Sequence, residues 1–190
     1  MDMLSAWRGA AVSFRPSRNS VERAALFSVL SSVVIVVAGG AVRLSSSGLG
    51  CPTWPKCTDA SLTPTPAMGV HGEIEFANRT LIYLLCAAVG WLIVASTRQR
   101  DRRPGLIVLA WVQFALVVAE AVLGGMSVLT GLNPFMVAAH FVLAMVFIVV
   151  TVAAWERSRE GDGVPRLLVP RAIRYLSVNR PGFGRDLRLW

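Results

Sequence analysis

Four stretches almost without charge leave this chain few ways to fold. Ala24 to Val42 runs 19 residues between Arg23 and Arg43, and Thr80 to Thr97 runs 18 between Arg79 and Arg98. Pro104 to about Leu129 is interrupted only by Glu120, and Pro134 to Trp155 only by His140. A helix needs about 20 apolar residues to cross the hydrocarbon of a bilayer, where no water can satisfy an open backbone. The pattern predicts an all-α polytopic membrane protein, a bundle of four transmembrane helices at about 24–42, 75–97, 104–128 and 134–155. A cleaved leader peptide does not account for the first stretch: its apolar run is too long, and 23 residues before it would be unusual.

The net charge of +8 could serve an acidic partner, but its placement argues for a bilayer. Sixteen of the nineteen Lys and Arg residues precede the first stretch, lie between the second and third, or follow Trp155. Only Arg43, Lys56 and Arg79 fall between the first and second, and none between the third and fourth. The positive-inside rule then puts both termini and the 98–103 loop in the cytoplasm, with 43–79 and about 129–134 facing outward. Membrane lipid is the expected partner, and nucleic acid is not. A basic segment, 1–23, and a basic tail, 156–190, flank the helical domain 24–155. Pro165, Pro170 and Pro181 forbid a long helix in that tail, which suits either a lipid surface or disorder.

The outward loop contains "GLGCPTWPKC", with Cys51 and Cys57 six residues apart. In an oxidising compartment a disulfide between them persists, closing a loop worth roughly 2–2.5 kcal/mol in the chain-entropy picture. A zinc site does not fit, since the spacing is too long and no second ligand pair is near. Three roles remain open for the pair: a staple, a redox couple, or a clamp on a substrate. Cys86, inside the second span, reads as a small apolar residue. The cysteines with Pro52 and Pro55 would stiffen the segment around Trp54 into a lid.

The two helical hairpins share features. "VVAGGAVRLSSSGLG" and "AVLGGMSVLTGLN" each place a Gly-Gly pair near the outward end and a polar Gly-Leu turn after it. Each is followed by a helix with a histidine near its outward end. The glycines would let backbones, or a flat ligand, come close. In "HGEIEFANRT", His71, Glu75 and Asn78 fall at i, i+4 and i+7 and share one face, while Arg79 points elsewhere and snorkels to the headgroups. His140 is the one other histidine, and an ionisable group inside a span is costly and usually functional. Two imidazoles facing each other across a bundle suit haem iron. Glu120 adds a carboxyl group within the third span, with Gln113 two turns further in on the same face.

"GGAVRLSSSGLGCPTWPKC", "HGEIEFANR", "EAVLGGMSVLTGL" and "AAH" resemble, in order and spacing, the amino-terminal half of bacterial heme A synthase, the actinobacterial type most of all. The resemblance covers about residues 25 to 155. It implies half of an eight-helix fold built from two related four-helix halves, and an enzyme of the bacterial plasma membrane that serves cytochrome oxidase assembly. The reaction it implies is oxidation of the C8 methyl group of heme O to a formyl group by successive hydroxylations. Glu75 becomes the functional carboxylate, His140 a haem ligand, and Cys51 with Cys57 the paired loop cysteines. Where many relatives read Glu-Phe-x-His-Arg, this chain has Asn78, so His71 is expected to replace the missing ligand and pair with His140 at the iron. Glu120 stands where relatives commonly have Gln, and with Asn78 it is expected to border the haem.

No apolar span and no histidine follows Trp155, so a haem b site of bis-histidine type requires a second copy or a separate protein carrying the second half. A separate electron donor and heme O synthase are further partners that the resemblance implies. Three other readings compete: a half-sized haem carrier or assembly subunit, a truncated or frame-shifted remnant, and a quinone-linked thiol oxidoreductase. The last generally needs two cysteine pairs, and this chain has one.

Overall fold

The computed structural model describes residues 15–160. Four long helices follow in order: α1, Arg18–Leu44; α2, Gly69–Arg98, entered through a single 3-10 turn, Pro66–Met68; α3, Pro104–Leu129; and α4, Pro134–Arg159. All four are long and apolar enough to cross a membrane, and the chain is a multi-pass helical membrane protein. Each helix runs past the predicted span, by as many as six residues at the starts of α1 and α2, because backbone hydrogen bonding continues into the flanking polar sequence. Of the basic flanks expected at 1–23 and 156–190, 18–23 and 156–159 extend the helices; 1–14 and 161–190 lie outside the described residues.

Local chemistry sets the ends. The Ser17 hydroxyl accepts the Ser20 N–H at 3.3 Å to start α1. Pro104 and Pro134 sit at the first helical positions of α3 and α4, where a missing N–H costs nothing, and Asn133 Oδ1 accepts the Phe135 N–H. Between α3 and α4 the chain turns in four residues. Gly131 and Leu132 take positive φ, 62° and 60°, and Leu132 N–H closes on the Ser127 carbonyl at 2.7 Å.

Around the bundle the order is α1, α2, α3, α4 and back to α1, so α2 and α4 stand at opposite corners. Lipid offers no hydrophobic drive to bring apolar helices together, so small side chains and polar links hold them. One cluster packs Val21, Ala24 and Ala25 with Leu92, Ala95, Leu106, Ala110 and Ala154. A second joins Leu85, Val89, Val117 and Phe147. A fully buried polar seam accompanies them: Ser28 donates to Gln113 Oε1 at 2.5 Å, and the Ser32 and Thr151 hydroxyls meet at 3.3 Å. Beyond the clusters, Arg103 caps the end of α4 through the carbonyls of Arg157, Ser158 and Glu160.

Packing is unequal along the bundle. From Val33 to Leu44 of α1 and from Pro134 to Val146 of α4, no residue is buried. The same holds for 76–84 of α2 and 118–124 of α3. The helices thus close tightly at the arginine-rich end, while a belt about 13 Å tall beneath the Cys51–Cys57 loop has no core.

Candidate functional site

The loop between α1 and α2 folds over the belt as a cap. Ser47, wholly buried, bonds the Ser45 hydroxyl at 2.8 Å and His71 Nδ1 at 2.9 Å. Gly50 lies on the first turn of α2 so closely that a Cβ there would overlap the His71 carbonyl. Cys51 and Cys57 form a disulfide with Cα atoms 4.4 Å apart, and both residues are buried. Gly48 reaches the α3–α4 turn, where a Cβ would come within 3.1 Å of Leu132. Trp54 extends onto Gly125 of α3; a Cβ there would sit 2.5 Å from the indole.

Glu75 and Arg79 lock this cap to α2. Glu75 is 4% exposed. Its Oε2 accepts the Cys51 N–H at 2.8 Å, and its Oε1 pairs with Arg79 Nε and Nη2. The remaining donors of Arg79 go to loop carbonyls. A buried carboxylate is costly unless paired and hydrogen-bonded, and here it is both. The expected route of Arg79 to the headgroups is therefore corrected: the side chain turns under the loop, where four acceptors compensate its desolvation. Spacing offered the signal, since Glu75 and Arg79 stand at i and i+4.

His140 and Glu120 meet in the belt. His140 Nδ1 lies 2.6 Å from Glu120 Oε2 without hydrogen-bond geometry, so Nδ1 and Glu120 Oε1 are both buried atoms with no hydrogen-bond partner. A Cβ at Gly124 would touch the edge of the imidazole at 3.3 Å. The His140 side chain is 42% exposed, against 14% for Glu120. Asn78, half-buried on α2, carries another buried atom without a hydrogen-bond partner, Oδ1.

His71 occupies a different setting. It is exposed, bonded to Ser47, and lines a shallow depression with Ser46, Leu49, Gly50, Pro52 and Met68. Glu75 lies one turn from it and Asn78 a further turn along. His71 bonds Ser47, whereas His140 lies beside Glu120. Among the described residues no three His, Cys, Asp or Glu side chains gather to hold a metal ion. Cys86 is free and exposed on the outside of α2.

The fold and site define a four-span membrane bundle that is capped at one end and lacks a core beneath the cap. Comparison with known proteins makes that class particular. Residues 22–71 match the family described as cytochrome oxidase assembly protein. The heme A synthase of Macrococcus caseolyticus is 24% identical over 155 residues, 79% of this chain and 51% of that protein. That of Geobacillus thermodenitrificans is 27% identical over 113 residues, 59% and 34% of the two chains. That of an Exiguobacterium species is 25% identical over 151 residues, 75% and 48%. The chain is thus similar in sequence to heme A synthases over much of its length. It spans about half, or less, of the length of these curated relatives. No solved structure matches it.

Proposed function

We propose that the belt receives a haem, which His140 would ligate, and that the chain takes part in converting the C8 methyl group of heme O to the formyl group of heme A. The observation that carries this is the His140–Glu120 pair in a belt without a core. A metal-ligating histidine almost always directs its other ring nitrogen to a carboxylate or carbonyl, which fixes the tautomer and raises ligand basicity. Glu120 Oε2 stands 2.6 Å from Nδ1, close enough to take up that role once the ring reorients on a ligand, which would leave Nε2 for iron. Asn78 and Glu120 supply the unpartnered polar atoms around the ligand, and Gly124 gives the ring room. These features favour haem over a bare metal ion, for which no ligand cluster is present among the described residues.

The haem, both substrate and redox group, supplies the oxidising chemistry when bound. The chain's residues orient and enclose it. Glu75, at the boundary of cap and belt, is assigned proton handling near the reacting methyl group, with Arg79 holding its carboxylate in place. His71 as a second ligand has less support, since its ring is exposed and engaged with Ser47. Charge placement supports both termini in the cytoplasm of a bacterial cell and the cap outside. A haem b site, the electron donor and the second half of the family fold fall to a second copy or another protein.

The test is expression in a bacterial host that makes heme O and lacks its own heme A synthase. Haem extracted from the purified chain is then separated by chromatography. Heme A is the expected product. His140→Ala should remove the haem absorption spectrum of the purified chain, and His71→Ala separates the one-ligand from the two-ligand reading. An unchanged spectrum in His140→Ala sinks the ligand assignment. The half-length match favours one second reading, a non-catalytic haem carrier. Bound heme O or haem b without conversion would establish it.

A further inference from the structure

One side chain fills the disulfide ring. Arg79 Nη1 donates to the carbonyls of Thr53 at 2.9 Å and Lys56 at 3.2 Å, and Nη2 to that of Cys51 at 2.8 Å. All three acceptors lie within the segment closed by Cys51 and Cys57, and Trp54 is carried between them. The opposite contact of the ring is with α3, where the Trp54 indole rests on Gly125. The next residue, Gly124, receives the His140 ring. A planar guanidinium fork can satisfy several acceptors at fixed angles, whereas a lysine ammonium is a point charge on a flexible stem.

We propose that Arg79 is a positioning residue: by filling the Cys51–Cys57 ring it holds Trp54 against α3 and so fixes the wall beside His140. The consequence for a bound haem rests on the function proposed above, but the positioning itself does not. Arg79 acts on the wall only through the ring and the indole, and touches neither Gly124 nor His140 in any contact described.

The experiment uses the full chain, purified in lipid nanodiscs, with Cys86→Ser so that only the loop thiols report. Reduction of the disulfide by a phosphine is followed by the mass gained on thiol alkylation. Arg79→Lys keeps a cation beside Glu75 but cannot span three carbonyls. It should speed reduction roughly tenfold or more, as expected for losing charge-assisted hydrogen bonds. Glu75→Gln leaves Arg79 its three carbonyls and keeps an amide oxygen for the Cys51 N–H, so reduction should stay within about twofold of the parent.

The second measurement asks whether Trp54 has moved. Gly125→Ala lowers the unfolding temperature only while the indole is held against that position. Its penalty should therefore vanish in the Arg79→Lys background. An unchanged reduction rate in Arg79→Lys overturns the proposal, as does an equal Gly125→Ala penalty in both backgrounds. Equal exposure of the disulfide in Glu75→Gln and Arg79→Lys would also overturn it, since the ion pair alone would then hold the ring. None of these readouts involves haem, so failure of the haem assignment stays distinguishable.

Discussion

Gly39–Gly40 of α1 and Gly124–Gly125 of α3 occupy matching places in the two hairpins, yet they meet opposite surroundings. A Cβ on either glycine of the first pair would meet nothing within 4 Å. In the second pair, Gly124 admits the His140 ring and Gly125 the Trp54 indole. The same dipeptide therefore marks an open wall on one side of the belt and a filled one on the other. A small residue at a helix end permits close approach, but what approaches is decided by the neighbouring loop. The α1–α2 loop is long and locked across the bundle, whereas the α3–α4 turn is four residues and delivers nothing onto α1.

The largest break in this contrast should come from Gly50→Ala, which forces a Cβ into the backbone of α2 and lifts the cap from its seat. Rigid backbone cannot yield as a side chain can, so a loss of about 3 kcal/mol is expected, read as a large drop in unfolding temperature. Gly125→Ala pushes on a partly exposed indole that can shift, and about 1–2 kcal/mol is expected by the same measurement. Gly40→Ala reverses the sign. The added methyl enters open space and removes the helix penalty of glycine, so stability should hold or rise by up to about 1 kcal/mol. A destabilised Gly40→Ala would show that the first pair is packed after all, and the contrast would fail.

The helices were legible because charge-poor runs of about 20 residues admit no other structure in lipid, and the four spans fall where those runs lie. The disulfide was legible from two cysteines six residues apart in an outward loop, while which of the three roles the pair plays was not. Arg79 was misread because its loop partners are carbonyls, which every residue carries and no sequence pattern advertises. Trp54 on Gly125 joins residues 71 apart, beyond the reach of any local periodicity. His71 shows the limit of offset arguments. Sharing a face with Glu75 and Asn78 places three residues in line, but the helix buries Gly72 and Glu75 and leaves His71 outside. Glu120 was recognisable as a costly group within a span, whereas its partner was not, since α3 and α4 meet only after the turn sets their phase.

That phase has a source deep in the molecule. Smooth apolar helices in lipid can spin about their axes at little cost, and the buried Ser28–Gln113 link stops α3 from doing so. Seven residues advance a helix to within about 20° of two full turns, so the azimuth chosen at Gln113 reappears at Glu120. A hydroxyl on α1 in the tightly closed half thereby aims the carboxyl group that faces His140, much as a keyway on a shaft sets the angle of a part mounted further along.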